Sequence, residues 1–206
     1  MNIVNAIMEK LRTTGLLRNS NMLFKAGVII VASIIILSVL APLLTPYSPI
    51  VGTGDELAPP SLKHPMGTNN LGYDMFSRVL YGARTVLTVV VSATLLSMAI
   101  GVPLGLISGY YGGKVDRAIS IVMDSMYAFP SLILALAIAA VLGASLINAI
   151  IAIAVVYVPT YFRMVRGQTL SIKSLLYVEA AKALGASDSR IITKYVFPNL
   201  LPTVLV

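Results

Sequence analysis

Arg163-Met-Val-Arg166, then Ser171-Ile-Lys-Ser-Leu-Leu-Tyr-Val-Glu179-Ala180-Ala181-Lys-Ala-Leu-Gly185, then Ala-Ser-Asp-Ser-Arg-Ile-Ile-Thr-Lys-Tyr-Val-Phe-Pro198-Asn199, form the longest amphipathic interruption in an otherwise apolar chain. The stretch holds six basic residues (Arg163, Arg166, Lys173, Lys182, Arg190, Lys194) against Glu179 and Asp188. Ile172, Leu175, Leu176, Ala180, Ala183 and Leu184 recur at helical spacing, and Ser171 or Ser174 can cap the helix they predict. Gly185 stands where a left-handed turn would end that helix. Ser187 or Asp188 can cap a second helix, which Pro198 limits or kinks. On a helical wheel Glu179 falls inside the apolar stripe. That placement fits an interfacial helix pair whose Glu reaches water. It equally fits a docking knob, a short helix that offers an apolar face and one charge to a soluble partner.

The surroundings of this stretch set the class. Of 206 residues, 57% are hydrophobic and 11% charged, and the mean hydropathy is +0.89. A soluble domain cannot solvate that balance, so the expected fold is all-α, a polytopic membrane helical bundle. The net charge of +7 would suggest nucleic acid in a soluble chain. Here the basic residues cluster in short loops, which sets membrane orientation instead, and no nucleic-acid partner is expected. The absence of cysteine excludes disulfides and thiolate chemistry.

In chain order, residues 1–25 read as a cytoplasmic N-terminal segment, either a surface helix with Ile3, Ile7 and Leu11 on one face or a frayed tail. Residues 26–47 carry no charge and are long enough to span a bilayer core of about 30 Å. Residues 48–85 form a polar loop with Pro49, Pro59, Pro60 and Pro65, ending in a short amphipathic helix that runs through Arg84. His64, the only histidine, reads as structural, because nothing nearby completes a metal-ligand set. Residues 86–206 hold spans two to four, the loop 163–197 and the start of a fifth span. In the second span Ala93, Ser97, Gly101, Gly105, Gly109 and Gly113 stand every fourth residue. Such a small-residue ridge permits close helix packing in lipid. The third span, 118–142, contains Asp124, the only acid within a predicted span. An intramembrane carboxylate costs roughly 2.5–3.5 kcal/mol on insertion scales, which makes Asp124 a candidate for a translocation path. Reaching the interface, two helical turns away at Arg117, or pairing with a basic group explains it equally well. Pro130 is a kink candidate in the same span, and the fourth span covers about 146–162.

Orientation follows from the loops. With the N-terminus in the cytoplasm, 12 of the 15 Lys and Arg residues lie inside, and only Lys63, Arg78 and Arg84 lie outside. Four spans then return the 163–197 loop to the cytoplasm.

Two sets of residues carry a family resemblance. Glu179-Ala180-Ala181, Gly185 six residues after the Glu, and the closing Tyr-Val-Phe-Pro198-Asn199 resemble the cytoplasmic Glu-Ala-Ala loop of binding-protein-dependent ABC importer permeases. Relatives often carry His where this chain has Tyr195. His64-Pro-x-Gly67-Thr68 with Leu71-Gly72, Asp74, Ser77-Arg78 and Gly82-x-Arg84 is similar to the C-type permease subunit of dipeptide, oligopeptide and nickel importers. It departs at Asn69, Asn70 and Tyr73, where charged residues are common.

The resemblance implies a multi-pass cell-membrane assembly with a second permease subunit, two cytoplasmic ATP-binding subunits and an external solute-binding protein. It implies that Leu175, Leu176, Glu179, Ala180, Ala181, Ala183 and Gly185 form the docking loop. Leu175, Leu176, Ala180 and Ala183 would give apolar contact to the ATPase, Glu179 would orient the loop and Gly185 would permit the turn. Resembled subunits continue through two further spans, so the chain is expected to be truncated. It contains no Gly-x-x-x-x-Gly-Lys-Ser/Thr phosphate loop and no His-Glu-x-x-His or Gly-x-Ser-x-Gly motif. No cofactor is therefore expected in this chain, ATP and Mg being bound by the partner subunits, and no enzymatic activity. Two rivals use the same residues: a membrane scaffold that recruits an unrelated protein through 163–199, and a channel subunit. A channel would need a polar pore-facing stripe, toward which Asp124 alone contributes.

Overall fold

A computed structural model describes residues 22–204; the helix expected in the N-terminal segment lies almost entirely outside them. The described residues are helices joined by turns and one ordered loop. The chain divides into two compact units between Thr88 and Val89.

In the first unit, α1 (Met22–Val39) is almost wholly exposed apart from Ser38, whose hydroxyl donates to the Ile34 carbonyl at 2.7 Å. Its mean hydropathy of 2.5 and its exposed apolar side chains suit a helix in lipid. The sequence extends this span to Tyr47, but the helix stops at Val39. Pro42, at the start of the short α2 (Ala41–Leu44), lacks an N–H and crowds the carbonyl four residues back.

The loop from Thr45 to Asp74 is held by its own polar groups. Thr68 donates its hydroxyl to the Asp55 carbonyl and accepts from the Ala58 N–H at 2.8 Å. Asn69 Oδ1 accepts from the N–H groups of Leu71 and Tyr73, a side-chain turn that the departing motif residue supplies. Gly67 has φ +70°, and a Cβ there would lie 2.5 Å from the Ala58 carbonyl oxygen, so the motif's glycine is sterically required. Asp74 is fully buried. Its Oδ2 caps the next helix by accepting from the Ser77 N–H at 2.7 Å, and its Oδ1 lies 2.9 Å from His64 Nδ1. Burial pushes the Asp74 carboxyl up, but hydrogen bonds from Ser77 and His64 more than offset this and hold it below the usual range. His64, stacked on Tyr47 at 4.8 Å between ring centroids, is thus a structural histidine. Together these contacts give His-Pro-x-Gly-Thr…Asp a physical reason: it closes the loop onto the helix that follows.

That helix, α3 (Met75–Tyr111), runs unbroken for 37 residues. The sequence separates a short helix ending near Arg84 from a span starting at Val86; the structure joins them, since no residue between them breaks a helix. Gly112, at φ +68°, turns the chain into α4 (Gly113–Tyr127), so Gly113 begins a new helix and leaves the ridge.

The third span is not one helix. α4 and α5 (Ser131–Leu142) meet at 91°. Pro130 has no N–H to continue the ladder and disfavours helical geometry at Phe129. At 15 and 12 residues they reach about 22 and 18 Å, each short of a bilayer core. Among the described residues three helices are long and apolar enough to cross a membrane, or four if the bent pair counts as one span. Ser145 caps α6 (Leu146–Lys173) by accepting from the Asn148 N–H at 3.1 Å. α6 continues past Phe162 to Lys173, so Arg163 and Arg166 lie on a helix rather than in a loop. At 28 residues α6 is about 42 Å long, more than a core requires. A core of Val102, Leu106, Val165, Ile172, Val178, Ile191, Val196 and Leu200 then joins α3 and α6 to the segment that follows.

Candidate functional site

The segment after α6 holds two helical pieces. Neither Ser171 nor Ser174 caps the first. Ser174 instead donates back to the Ser171 carbonyl at 2.9 Å, and α7 (Leu176–Ala183) starts from an extended Leu175. Its other end follows the sequence expectation. Gly185 has φ +82°; its N–H donates to the Lys182 carbonyl at 3.0 Å, and the Ala186 N–H donates to Ala181 at 3.1 Å. That paired pattern is the Schellman stop, and it needs a residue that tolerates positive φ. A Cβ at Gly185 would meet nothing within 4 Å, so backbone conformation, not space, restricts the position.

After Gly185 comes α8 (Asp188–Ile191), a wider π-type turn (Ile192–Val196) and α9 (Phe197–Val204), one continuous helical run. The wide turn falls just before Pro198, whose missing N–H breaks the regular ladder. Asn199 Nδ2 donates to the Tyr195 carbonyl at 2.7 Å and to the Tyr177 hydroxyl at 3.2 Å, which ties this run to α7.

α7 has two faces. Val178 and Ala181 are buried against the core, whereas Leu175, Glu179, Ala180 and Ala183 are exposed, with Leu176 at 83% and Leu184 at 89%. The second Ala of Glu-Ala-Ala therefore packs inward, and the first faces out. Polar anchors fix the segment to the end of α3. Lys173 Nζ donates to the Gly109 and Tyr110 carbonyls at 2.8 and 3.2 Å, matching a cation to a helix C-terminus. The Tyr110 hydroxyl donates to Asp188 at 2.6 Å. Between these groups lies a cleft of about 540 Å³ with Glu179 and Lys182 on its wall.

The ridge meets the backbone of α6. A Cβ at Gly101 would lie 2.8 Å from the Val158 oxygen, at Gly105 2.7 Å from the Phe162 oxygen, and at Gly109 2.8 Å from the Arg166 oxygen. Ala93 and Ser97 are buried, and the Ser97 hydroxyl bonds the Ala154 carbonyl at 2.9 Å. The small residues thus let α3 and α6 approach at van der Waals contact.

Two ion pairs join α4 to α6. Arg166 holds Asp116 with both Nε and Nη2, at 2.5 and 2.7 Å, and the Ser108 hydroxyl on α3 also donates to Asp116. Arg163 holds Asp124 through a single contact of 2.8 Å, and its guanidinium sits 4.3 Å over the Tyr127 ring. Of the alternatives open for Asp124, the structure shows pairing with a basic group, Arg163. The Asp116–Arg166 pairing and the anchoring roles of Lys173, Tyr110 and Asn199 were not foreseen from sequence. The ion pairs' only signal there was the coincidence of two acids in 112–124 with two arginines in 163–166.

Residues 101–206 match the family described as Binding-protein-dependent transport system inner membrane component. The chain belongs to this family. Over 187 residues, 90% of this chain and 62% of the relative, it is 44% identical to the dipeptide transport system permease protein of Alkalihalophilus pseudofirmus. Over 147 residues, 71% of this chain and 49% of the relative, it is 40% identical to the glutathione transport system permease protein of Pectobacterium atrosepticum. The chain thus spans about half to three fifths of the length of these curated relatives. In this inner membrane component the family match starts at Gly101, inside the ridge. It takes in both ion pairs, α7 and its Schellman stop, while Ala93, Ser97 and the loop closed by His64 and Asp74 lie before it.

Proposed function

We propose that this inner membrane component is a membrane-spanning subunit of an ABC importer for short peptides, driven by separate ATPase subunits. The observation that carries the reading is α7. It is a two-turn helix whose inner face is bolted to the ends of α3 and α6 and whose outer face, Leu175, Leu176, Glu179, Ala180, Ala183 and Leu184, is left bare. A bare apolar face with one acid, on a helix fixed at both ends, suits a groove in a soluble partner. Peptide as substrate is supported by the dipeptide and glutathione systems of the relatives.

The N-terminus lies in the cytoplasm, as the Lys and Arg distribution favours, which puts α7 on the same side as the ATPases. A second permease chain completes the pathway and an external binding protein delivers the peptide. ATP and Mg stay with the ATPase subunits, and this chain makes and breaks no bonds. Closure of the ATPases moves α7, and the Lys173, Tyr110 and Asn199 anchors transfer that displacement to α3, α6 and the 188–204 run as one body. The membrane helices rock between two openings. Purification of the tagged chain from its native membrane is expected to bring down a phosphate-loop ATPase whose hydrolysis rises when a dipeptide-loaded binding protein is added. Repeated recovery without an ATPase would instead leave a scaffold.

A further inference from the structure

The two ion pairs between α4 and α6 are built differently. Asp116 and Arg166 are mostly covered, at 18% and 32% side-chain exposure, and are bonded twice. Asp124 and Arg163 are 61% and 56% exposed and joined by one contact. An exposed single-contact pair adds little to helix packing. Yet both charges sit on helices of candidate spans, where ionisable groups face protein or a wet cavity rather than lipid and mark substrate pathways. The packing role belongs to Asp116 and Arg166, whereas Asp124 and Arg163 neutralise each other across one open contact.

Its surroundings suggest one. The Tyr127 ring under Arg163 also lines a cavity of about 350 Å³ at the elbow between α4 and α5. Phe129, Pro130, Val156, Tyr157 and Thr160 complete much of its wall, and no charged residue lines it. The site therefore places one anion and one cation beside an aromatic, sequence-tolerant chamber.

We propose that Asp124, Arg163 and this elbow cavity form a subsite for the zwitterionic termini of a short peptide. The peptide ammonium binds the Asp124 carboxylate, its carboxylate takes the Arg163 guanidinium fork, and a side chain enters the aromatic cavity. Peptides of different sequence share only their charged ends and backbone, so reading the ends while tolerating the side chain recognises the class. Two residues of extended chain span about 7 Å, so Asp124 and Arg163 must part to admit a dipeptide. A pair held by one exposed contact parts readily.

The inference rests on the importer reading, and import by the unmodified transporter tests that reading separately. The subsite is tested by photolabelling the intact, nucleotide-free transporter with glycyl-benzoylphenylalanine, and with the same dipeptide acetylated at its N-terminus and amidated at its C-terminus. The free dipeptide is expected to label residues 126–131 or 156–160 at least tenfold more strongly than the blocked one. In Asp124→Asn and Arg163→Gln transporters that preference falls to below threefold. Equal labelling by both probes, or labelling confined to other segments, overturns the subsite. So does a preference that stays tenfold in both variants.

Discussion

Gly185→Val is expected to abolish peptide-stimulated ATP hydrolysis while the chain still inserts and assembles. The Schellman stop of α7 holds Gly185 at φ +82°, and a β-branched residue forced there costs on the order of 1–3 kcal/mol. The chain escapes that strain by changing how α7 meets the helix that begins at Asp188. Nothing lies within 4 Å of a Cβ at this position, so the effect comes from the backbone and grades with it. Gly185→Asn, which tolerates the left-handed region, should retain most of the stimulation, Gly185→Ala part of it, and Gly185→Val none. The check is ATPase activity with and without dipeptide-loaded binding protein in the purified complex. Wild-type stimulation in Gly185→Val would show that the turn plays no part in coupling.

Gly105→Leu is expected to have the largest effect on stability. Its Cβ would stand 2.7 Å from the Phe162 oxygen and 3.0 Å from the Arg166 nitrogen. Both are backbone atoms of α6, which no rotamer change can move aside. Overpacking of this kind costs about 1–3 kcal/mol, and more where the backbone must separate. The neighbouring core at Leu106, Val165 and Phe162 opens with it. Gly82, on the same helix, has nothing within 4 Å of a Cβ, so Gly82→Ala should be neutral or stabilising by about 0.5–1 kcal/mol. Thermal unfolding of the purified complex in detergent separates the two, with a clear drop for Gly105→Leu and none for Gly82→Ala. Equal midpoints would mean that the ridge is not a contact surface.

Much of this was legible in the sequence because it depends on local chemistry. Gly185 ends α7 as its spacing implied. Glycine and serine every fourth residue could only form one face of a helix. Other features depend on distant partners and left weak traces. Pro130 marked a kink, but nothing local distinguishes a mild kink from the 91° elbow it makes. Arg163 and Arg166 looked like loop charges because charge ordinarily ends a span. On the long α6 they are instead matched to Asp124 and Asp116, some forty to fifty residues earlier. The break at Val39 was missed because charge, not Pro42, was used to bound the first span. His64 was read as structural for lack of ligands; Asp74, the partner that makes it so, lies ten residues away across a turn.

The central claim is that the bare face of α7 is gripped by an ATPase in the cytoplasm. The chain contains no cysteine, so a single Leu176→Cys, at a position 83% exposed, reports on that face alone. A membrane-impermeant maleimide is expected to label it in inverted vesicles stripped of ATPase, to fail in right-side-out vesicles, and to be blocked when the ATPase is restored. Labelling in sealed right-side-out vesicles would contradict the account.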